Sequence, residues 1–416
     1  MTPYDEMIQD ALNAARDIKK RSRLLLAVFS ALALCGAAAF LYLIAGPCAA
    51  RAWQAYLVNF VFWTGISFGA LLFVAIMNMT SARWSRPIKR LAEAPGAFLP
   101  VACLLFAGLY AGRAQIFPWI HEPAEGKQLW LSAGFLFARD GAGLLLLTGL
   151  ALVLIYWSVR DDRKALAEIA PAPRELEKQP RLQAALSVIF GIAYAVVLSL
   201  VAFDLIMSLD PHWVSTLFGA YYFIGCFYAA LAGLVILCGL LQSLQGLGKY
   251  ITPRQFQDLG KLLLGFCLVT GDFFYSQFLV IWYANLPEET RYVILRVRSS
   301  TWEPLAWIVL TGCFAGPFLV LLNRKIKMKP AAMLLLGCGI LIGMWLERLL
   351  LIAPSLWKNS GLPLGMPELL ISAGFLGAMA VSVLVFLRRV PLLPLSDPLF
   401  VEQLNAARAE NGERLI

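Results

Sequence analysis

Two carboxylates and a histidine lie close together in FDLIMSLDPHW, residues 203–213, beside a long apolar run. Asp204 precedes Ser208 by four residues, so the two side chains share one face if the segment is helical. Asp210 is followed by proline, which is typical of an N-cap at the start of a helix. We therefore expect Asp210 and His212 either to begin the next helix or to belong to a functional site at the outer face, whereas capping does not explain Asp204.

A second set of polar and small residues recurs at helical spacing between positions 258 and 283. At 100° per residue its members fall within about 60° of one another on a helix. This face predicts a proton-transfer path with Asp272 as its central relay; the alternative is that Asp272 only neutralises an arginine. The set is Asp258, Lys261, Gly265, Asp272, Ser276 and Tyr283.

Further charges stand inside apolar segments at Arg113, Glu347 and Arg348. Glu347 and Arg348 are adjacent, about 100° apart on a helix, so we do not expect them to face each other. Arg113 lies at a comparable depth in an earlier run, with Tyr110 on the same face. A pair between Glu347 and Arg113 would neutralise both charges, and a role in proton transfer is the other hypothesis.

The composition of the chain determines what kind of secondary structure can carry these residues. Of its 416 residues 60% are hydrophobic and 15% are charged, and the mean hydropathy is +0.72, which excludes an ordinary soluble protein. A bilayer core needs about 20 apolar residues for each helical span, and lipid offers no partner to an open backbone. We therefore predict an all-α, polytopic membrane protein of ten transmembrane helices. They begin near Leu24, Trp53, Ala97, Gly141, Ala184, Ser215, Asp258, Trp302, Ala331 and Glu368.

Basic residues predict the orientation of the chain. Residues 1–23 hold acidic as well as basic side chains, so we expect an amphipathic surface helix there and no signal peptide. With a cytoplasmic N-terminus, 26 of the 35 Lys and Arg residues fall on inner segments and seven on outer segments. Both termini are therefore predicted to be cytoplasmic, including the tail 391–416, and the net charge of +9 needs no nucleic-acid partner.

Motifs for metals, haem and nucleotides are missing from the sequence. The eight cysteines are scattered singly without a CxxC pair, which argues against an iron–sulfur or zinc site. His121 and His212 are both expected in outer loops, so paired-histidine haem ligation is not expected. No GxxxxGK[ST] or GxGxxG motif is present, which argues against an ATP-driven pump.

Four segments together resemble a known family. They are VFWTGISFGALLFVAIMNMTSARWSRPIKRLAE (61–93), FDLIMSLDPHWVSTLFGAYYFIG (203–225), DLGKLLLGFCLVTGDFFYSQFLVIWYANLPEETRY (258–292) and ERLLLIAPSL (347–356). The chain is similar to the second of the two NrfD-like membrane subunits of alternative complex III, a bacterial quinol:cytochrome c oxidoreductase. The resemblance covers most of residues 53–390.

The resemblance implies a polysulfide reductase membrane-subunit fold with two four-helix bundles, roughly 53–157 with 184–207, and 215–352, plus two extra helices in a domain over 24–390. It implies a bacterial cell membrane and three kinds of partner: the paralogous first NrfD-like subunit, an iron–sulfur subunit and c-type cytochromes. Haem c and iron–sulfur clusters would belong to those partners, with quinol as the substrate of the complex and no cofactor in this chain. The same family has been linked to proton conduction and is also described as quinone-binding.

Several candidate residues match motifs of the family. Asp204, Asp210 and His212 match its FDxxMSLDPHW run, and Asp258 and Lys261 match DLGK. Glu347 and Arg348 match its acidic–arginine pair, and the remaining matches lie in the WYANxPEE run. Asp272 departs from the family pattern, in which an apolar or aromatic residue is expected. The matches in WYANxPEE are Tyr283, Asn285, Glu288 and Glu289.

Three functional hypotheses follow. The first is a membrane subunit of a quinol-oxidising complex, without a redox cofactor, that serves as scaffold and possible proton pathway. The second is a quinol-binding subunit that passes electrons to a partner iron–sulfur protein, and the third is a stand-alone secondary transporter. The proton-pathway candidates are Asp204, Asp258, Lys261, Asp272, Ser276, Tyr283, Glu347, Arg348, Arg113 and Tyr110. The candidate outer-face quinol site is Asp204, Asp210, His212 and Glu347.

Overall fold

The computed structural model describes residues 3–410 apart from 124, 167–172, 245–246, 358 and 360. All regular secondary structure in these residues is helical. The α-helices are α1 (Pro3–Ile44), α2 (Ala49–Met79), α3 (Lys89–Glu93), α4 (Leu99–Leu109), α5 (Arg113–Ile116), α6 (Ala133–Leu166), α7 (Pro173–Leu205), α8 (Phe218–Leu241), α9 (Pro253–Ala284), α10 (Pro287–Val297), α11 (Glu303–Leu310), α12 (Gly316–Leu322), α13 (Arg324–Lys327), α14 (Pro330–Leu356), α15 (Met366–Arg389) and α16 (Pro398–Glu410). Short 3₁₀ helices lie at Arg86–Ile88, Ala94–Phe98, Pro118–Ile120 and Met207–Leu209, and a π-helical turn lies at Thr311–Ala315.

Ten helical segments of the described chain are long and apolar enough to cross a membrane, which confirms the predicted number of spans. A helix satisfies its backbone hydrogen bonds internally, as the hydrocarbon core of a bilayer requires. The segments are Glu6–Ile44, Ala49–Met79, Arg86–Leu109, Ala133–Arg160, Arg181–Leu209, Phe218–Leu241, Pro253–Ala284, Glu303–Leu322, Pro330–Leu356 and Met366–Arg389.

The structure differs most from the predicted boundaries at the first, third and fourth spans, and the fourth begins at Ala133 rather than near Gly141. The expected N-terminal surface helix and the first span form one continuous helix, α1, without a break between them. The third span ends at Leu109, so Arg113, which was expected inside it, lies beyond its end in the short helix α5. Residues 1–2 and 411–416, at the ends of the predicted terminal segments, lie outside the described residues.

The spans pack as two sets of four. Helices α2, α4, α6 and α7 contact one another in a ring, which we call the first bundle. Helices α8, α9, α11 with α12, and α14 form the second bundle. Helix α2 is buried along most of its length because it contacts α7, α8, α14 and α15, and it joins the two bundles together with α8.

Helix α1 lies outside the bundles against α15. The two helices are in close backbone contact at Gly36 and Gly374, where a Cβ on Gly374 would lie 2.8 Å from the Cα of Gly36. Small residues let helices approach in a membrane, so the pair sets the position of α1. A polar link ties α15 to the core in turn: Asn59 on α2 donates to Ser372 Oγ at 2.9 Å and accepts from Trp345 Nε1 at 3.0 Å.

An ion network lies on the side of the molecule that carries both described ends of the chain, which we call the terminal side. Arg86 Nη1 and Lys89 Nζ lie 3.0 Å and 3.1 Å from Asp397 Oδ2, and all three side chains are nearly buried. Burial by itself raises the pKa of Asp397, but Lys89 and Arg86 outweigh it and hold that pKa below its ordinary value. The segment after the last span is therefore fixed to the third span by charge.

We predict that Asp397→Asn destabilises the protein by about 3–5 kcal/mol, because it leaves two buried cations without their counter-ion. A carboxyl with a lowered pKa contributes its stability above its unfolded pKa of about 3.9 and loses it as the pH falls through the folded value. The difference between wild type and variant is therefore expected at neutral pH and should vanish in acid. Thermal unfolding in detergent, followed by tryptophan fluorescence, measures it.

The matched control is Glu402→Gln, which removes the exposed ion pair between Glu402 and Arg83, 3.0 Å apart. Exposed pairs contribute at most about 1 kcal/mol, so this variant should unfold close to wild type. Equal losses in both variants would contradict a stabilising role for the buried network.

Candidate functional site

A cavity of about 530 Å³, open on one side, lies in the second bundle between α8, α9, α10, α11 and α14. Its walls are mostly apolar and aromatic, with Phe278 and Ile281 from α9 and Leu350 from α14 among them. The π-helical turn Thr311–Ala315 contributes to the wall as well. The volume is in the range of small-molecule sites, which are typically about 300–1,000 Å³.

Four buried polar atoms in the lining of this cavity have no hydrogen-bond partner among the described residues. They are Trp213 Nε1, Thr270 Oγ1, Tyr292 Oη and Glu347 Oε2. A buried polar group without a partner costs about 1–3 kcal/mol, and native proteins hold few of them. Their convergence on one apolar cavity is the pattern of a site that binds an apolar molecule with polar ends.

Glu347 lies on α14 in the middle of this site and contacts a guanidinium. Arg348 Nη1 donates to Glu347 Oε1 at 3.2 Å and lies 2.9 Å from Oε2, a charge contact without hydrogen-bond geometry. The sequence-based expectation that these neighbours would not face each other is wrong, because an arginine side chain is long enough to reach the carboxylate of the preceding residue. The expected partner Arg113 instead stacks on the Tyr110 ring, 4.1 Å from its centroid, and donates to the Tyr110 carbonyl.

The end of the cavity opposite the terminal side is formed by α10, a short helix outside the spans. The Tyr292 ring stacks on Trp213 with 3.7 Å between centroids and 3° between planes. The Arg296 guanidinium covers the other face of Tyr292 at 3.3 Å. Three aligned groups thus position the Tyr292 hydroxyl at the wall of the cavity.

Arg296 attaches α10 to α14 at a point where α14 lacks one of its backbone hydrogen bonds. Pro354 has no N–H, so the carbonyl of Leu350 has no donor within the helix. Arg296 Nε donates to that carbonyl at 3.1 Å, and Arg296 Nη2 donates to the carbonyl of Leu351 at 2.8 Å. The proline of the sequence therefore creates the acceptor that holds the cavity wall.

Burial controls the protonation of the α10 side chains. It raises the pKa of Tyr292 to about 12. Arg296 lowers this pKa and Asp210 raises it, each by less than burial does, so the phenol keeps its proton at neutral pH. Burial also lowers the pKa of Arg296. Asp210 acts on both groups, so it lies near this end of the cavity, whereas His212 beside it is exposed.

Asp210 does not cap a span. It follows the 3₁₀ helix Met207–Leu209, and α8 begins at Phe218 with Leu217 in the cap position. The predicted N-cap role of Asp210 is therefore wrong, because an irregular segment separates the aspartate from the helix.

Asp204 lies in the first bundle and does not line the cavity. It is fully buried, accepts from Arg139 Nε at 2.9 Å and accepts from Trp130 Nε1 at 3.0 Å. The Arg139 guanidinium in turn lies 3.7 Å from the Trp130 ring centroid. The proposed outer-face set of Asp204, Asp210, His212 and Glu347 is thus divided between two bundles and an exposed loop.

Asp140 is a further buried carboxyl, adjacent to Arg139 in the sequence and in contact with Asp204. Neither of its oxygens has a hydrogen-bond partner among the described residues. Two ionised carboxylates are both acceptors and repel each other, so this contact becomes a hydrogen bond when the pair shares one proton. Sequence reasoning missed Asp140; the Arg–Asp dipeptide at the start of an apolar run was the available signal.

The polar face of the seventh span lies on the outside of the bundle. Lys261 and Asp272 are exposed, and 87% of Tyr283 is exposed, while Ser276 is half-buried. Asp258 forms an ion pair of 2.7 Å with Lys261 near the terminal side. These residues do not form a path through the interior of this chain, although Asp272 borders the cavity.

The fold and the cavity define the class of the protein: a helical membrane protein with ten candidate spans and a ligand-sized site in its second bundle. A search of protein-family models and of curated proteins finds no match to the chain.

We predict that Asp204→Leu destabilises the protein by about 3–5 kcal/mol, because the largely buried Arg139 guanidinium loses the carboxylate with which it forms an ion pair. Asp258→Leu is the matched control, since its partner Lys261 is exposed and the pair contributes at most about 1 kcal/mol. Denaturant titration in detergent gives both values. Comparable losses in the two variants would show that the Asp204 pair is not a stabilising element.

Proposed function

We propose that this chain is an integral membrane subunit of a quinol-oxidising respiratory complex, and that its second bundle binds the quinol. The single observation that carries the proposal is the convergence of four polar atoms without hydrogen-bond partners on an apolar cavity. The sequence favoured a scaffold with a proton pathway and kept quinol binding as the alternative; the cavity now favours the alternative.

A quinol suits the shape and polarity of the cavity. Its ring is flat and apolar with a hydroxyl at each end, and its isoprenoid tail is soluble in lipid. The aromatic and aliphatic walls accommodate a ring, and Glu347 and Tyr292 offer hydrogen bonds to hydroxyl groups. The exposed aromatic residues Phe274 and Tyr275 border the cavity on the side of α9 that faces away from the bundle. A molecule dissolved in the bilayer would reach the cavity from this side.

Glu347 is the group that would accept a proton from the quinol. Oxidation of a quinol releases two protons and two electrons, so the site needs a base next to the ring. The carboxylate is held beside Arg348, and Tyr221 on α8 also interacts with it, which provides a next proton carrier. The electrons would pass to a redox centre in a partner, which the family resemblance suggests is an iron–sulfur protein coupled to c-type cytochromes.

The resemblance also supplies the proposed setting. It suggests a bacterial cell membrane, cytoplasmic termini and a neighbouring paralogous NrfD-like subunit. In that orientation the terminal side faces the cytoplasm, and α10 lies on the outer side. Protons released at Glu347 would therefore leave toward the outer face of the membrane.

Quinone retained by the purified complex tests the proposal. We predict that Tyr292→Phe weakens quinol affinity roughly tenfold, since it removes one hydrogen bond and keeps the stacked ring. Glu347→Gln is expected to weaken affinity roughly tenfold to a hundredfold, because its hydrogen bond involves a charge. Quinone per chain after mild-detergent purification, and titration with a soluble quinol analogue, measure both effects.

The matched control is Tyr110→Phe, which removes the hydroxyl of an exposed tyrosine outside the cavity. Unfolding temperatures separate lost affinity from lost fold, since Glu347→Gln also leaves Arg348 without its counter-ion. Quinone at the level of bulk lipid in wild type, or unchanged affinity in Tyr292→Phe, would refute the proposal.

A second candidate function is proton transfer through the first bundle, and the contact between Asp140 and Asp204 favours it. A carboxyl pair that shares a proton can pass it on when one member is protonated from outside. We predict that Asp140→Asn lowers the number of protons released per electron in membrane vesicles while quinol still binds. Unchanged proton release and unchanged turnover would leave the pair a structural element.

A further inference from the structure

The Asp272 carboxylate lies on the exposed side of α9, within the apolar part of that helix. Asp272 is exposed and has no ion pair or hydrogen bond to the described part of the chain. One turn before it Leu268 is 43% exposed, and two turns after it Leu279 is 39% exposed, so apolar surface continues on both sides. A charge at this depth costs at least about 2.5 kcal/mol on insertion scales if it meets lipid, so another polar group is expected against it.

The surface around Asp272 permits the close approach of another helix. At 100° per residue, Gly265, Ser276 and Leu279 lie within about 40° of Asp272 on α9. A Cβ added to Gly265 would meet no atom within 4 Å, so this position is open on the outside of the protein. Small residues on a transmembrane helix let a second backbone approach, which strengthens polar contacts between helices. We call Gly265, Leu268, Asp272, Ser276 and Leu279 the Asp272 face.

We propose that the Asp272 face binds a transmembrane helix of a different polypeptide, which presents a lysine or arginine at the depth of Asp272. Charge complementarity identifies the partner: a cation neutralises the carboxylate and supplies the missing hydrogen bonds. A second copy of this chain does not fit, because a two-fold interface in the membrane would bring two Asp272 carboxylates together. The proposal goes beyond the proposed function. Leu268 and Asp272 also border the cavity, but the partner helix is recognised by its charge opposite Asp272, whichever molecule occupies the cavity.

Site-specific photo-crosslinking in native membranes tests the interface. A benzophenone amino acid at Leu279 is expected to give an adduct with one discrete membrane polypeptide, whose crosslinked span contains a lysine or arginine. Ile342 on α14, which is 62% exposed, is the matched apolar position that defines the background of lipid adducts. The expected adduct is lost when Asp272→Lys is combined with the Leu279 probe and is kept with Asp272→Glu.

Three results would overturn the proposal. They are lipid adducts alone at Leu279, an adduct with the mass of two copies of this chain, and an adduct that persists unchanged with Asp272→Lys. Thermal unfolding of the combined variants shows that a lost adduct does not reflect lost fold. Quinone extraction is done on wild-type protein, so failure of the quinol proposal and failure of this one are seen separately.

Discussion

The structure depends on one constraint: inside a bilayer, a polar group must find its partner within protein, because lipid offers none. Helices meet this constraint for the backbone, and ion pairs meet it for the side chains. Asp397 joins Arg86 and Lys89 on the terminal side, and Arg51 Nη2 donates to Glu368 at 2.8 Å where α2 and α15 begin. The charged residues thus lie mainly at the ends of the bundles, while α2 provides an apolar centre.

Polar groups that lack a partner within the protein indicate a binding site. The cavity in the second bundle concentrates polar atoms without hydrogen-bond partners in an apolar wall, and its position follows from particular residues. Pro354 frees a carbonyl for Arg296, which fixes α10, and α10 brings Tyr292 to the cavity. The same reasoning applies on the outside of α9, where Asp272 lacks a partner among the described residues of its own chain.

The sequence predicted the number of spans and their approximate positions because hydropathy depends on composition alone. It could not predict which polar residues meet, since pairing depends on how helices rotate and pack. The face containing Asp272 has the same periodicity whether it turns inward or outward, and the structure turns it outward. The pair of Glu347 and Arg348 was missed because angular separation on a helix ignores the reach of an arginine side chain.

Asp204 and Glu347 show why burial alone does not identify a reactive carboxylate. Both are buried in spans and both contact an arginine. Asp204 accepts bonds on both oxygens, from Arg139 and Trp130, so its capacity for hydrogen bonds is largely used. Glu347 Oε2, at the wall of a cavity, has an ion contact of 2.9 Å with Arg348 Nη1 but no hydrogen bond. Burial is the same for both carboxylates and does not distinguish them. Glu347 can act on a bound molecule because it has an oxygen that can still form a hydrogen bond and that faces space for a ligand. Asp204 lacks such an oxygen and instead holds helices together.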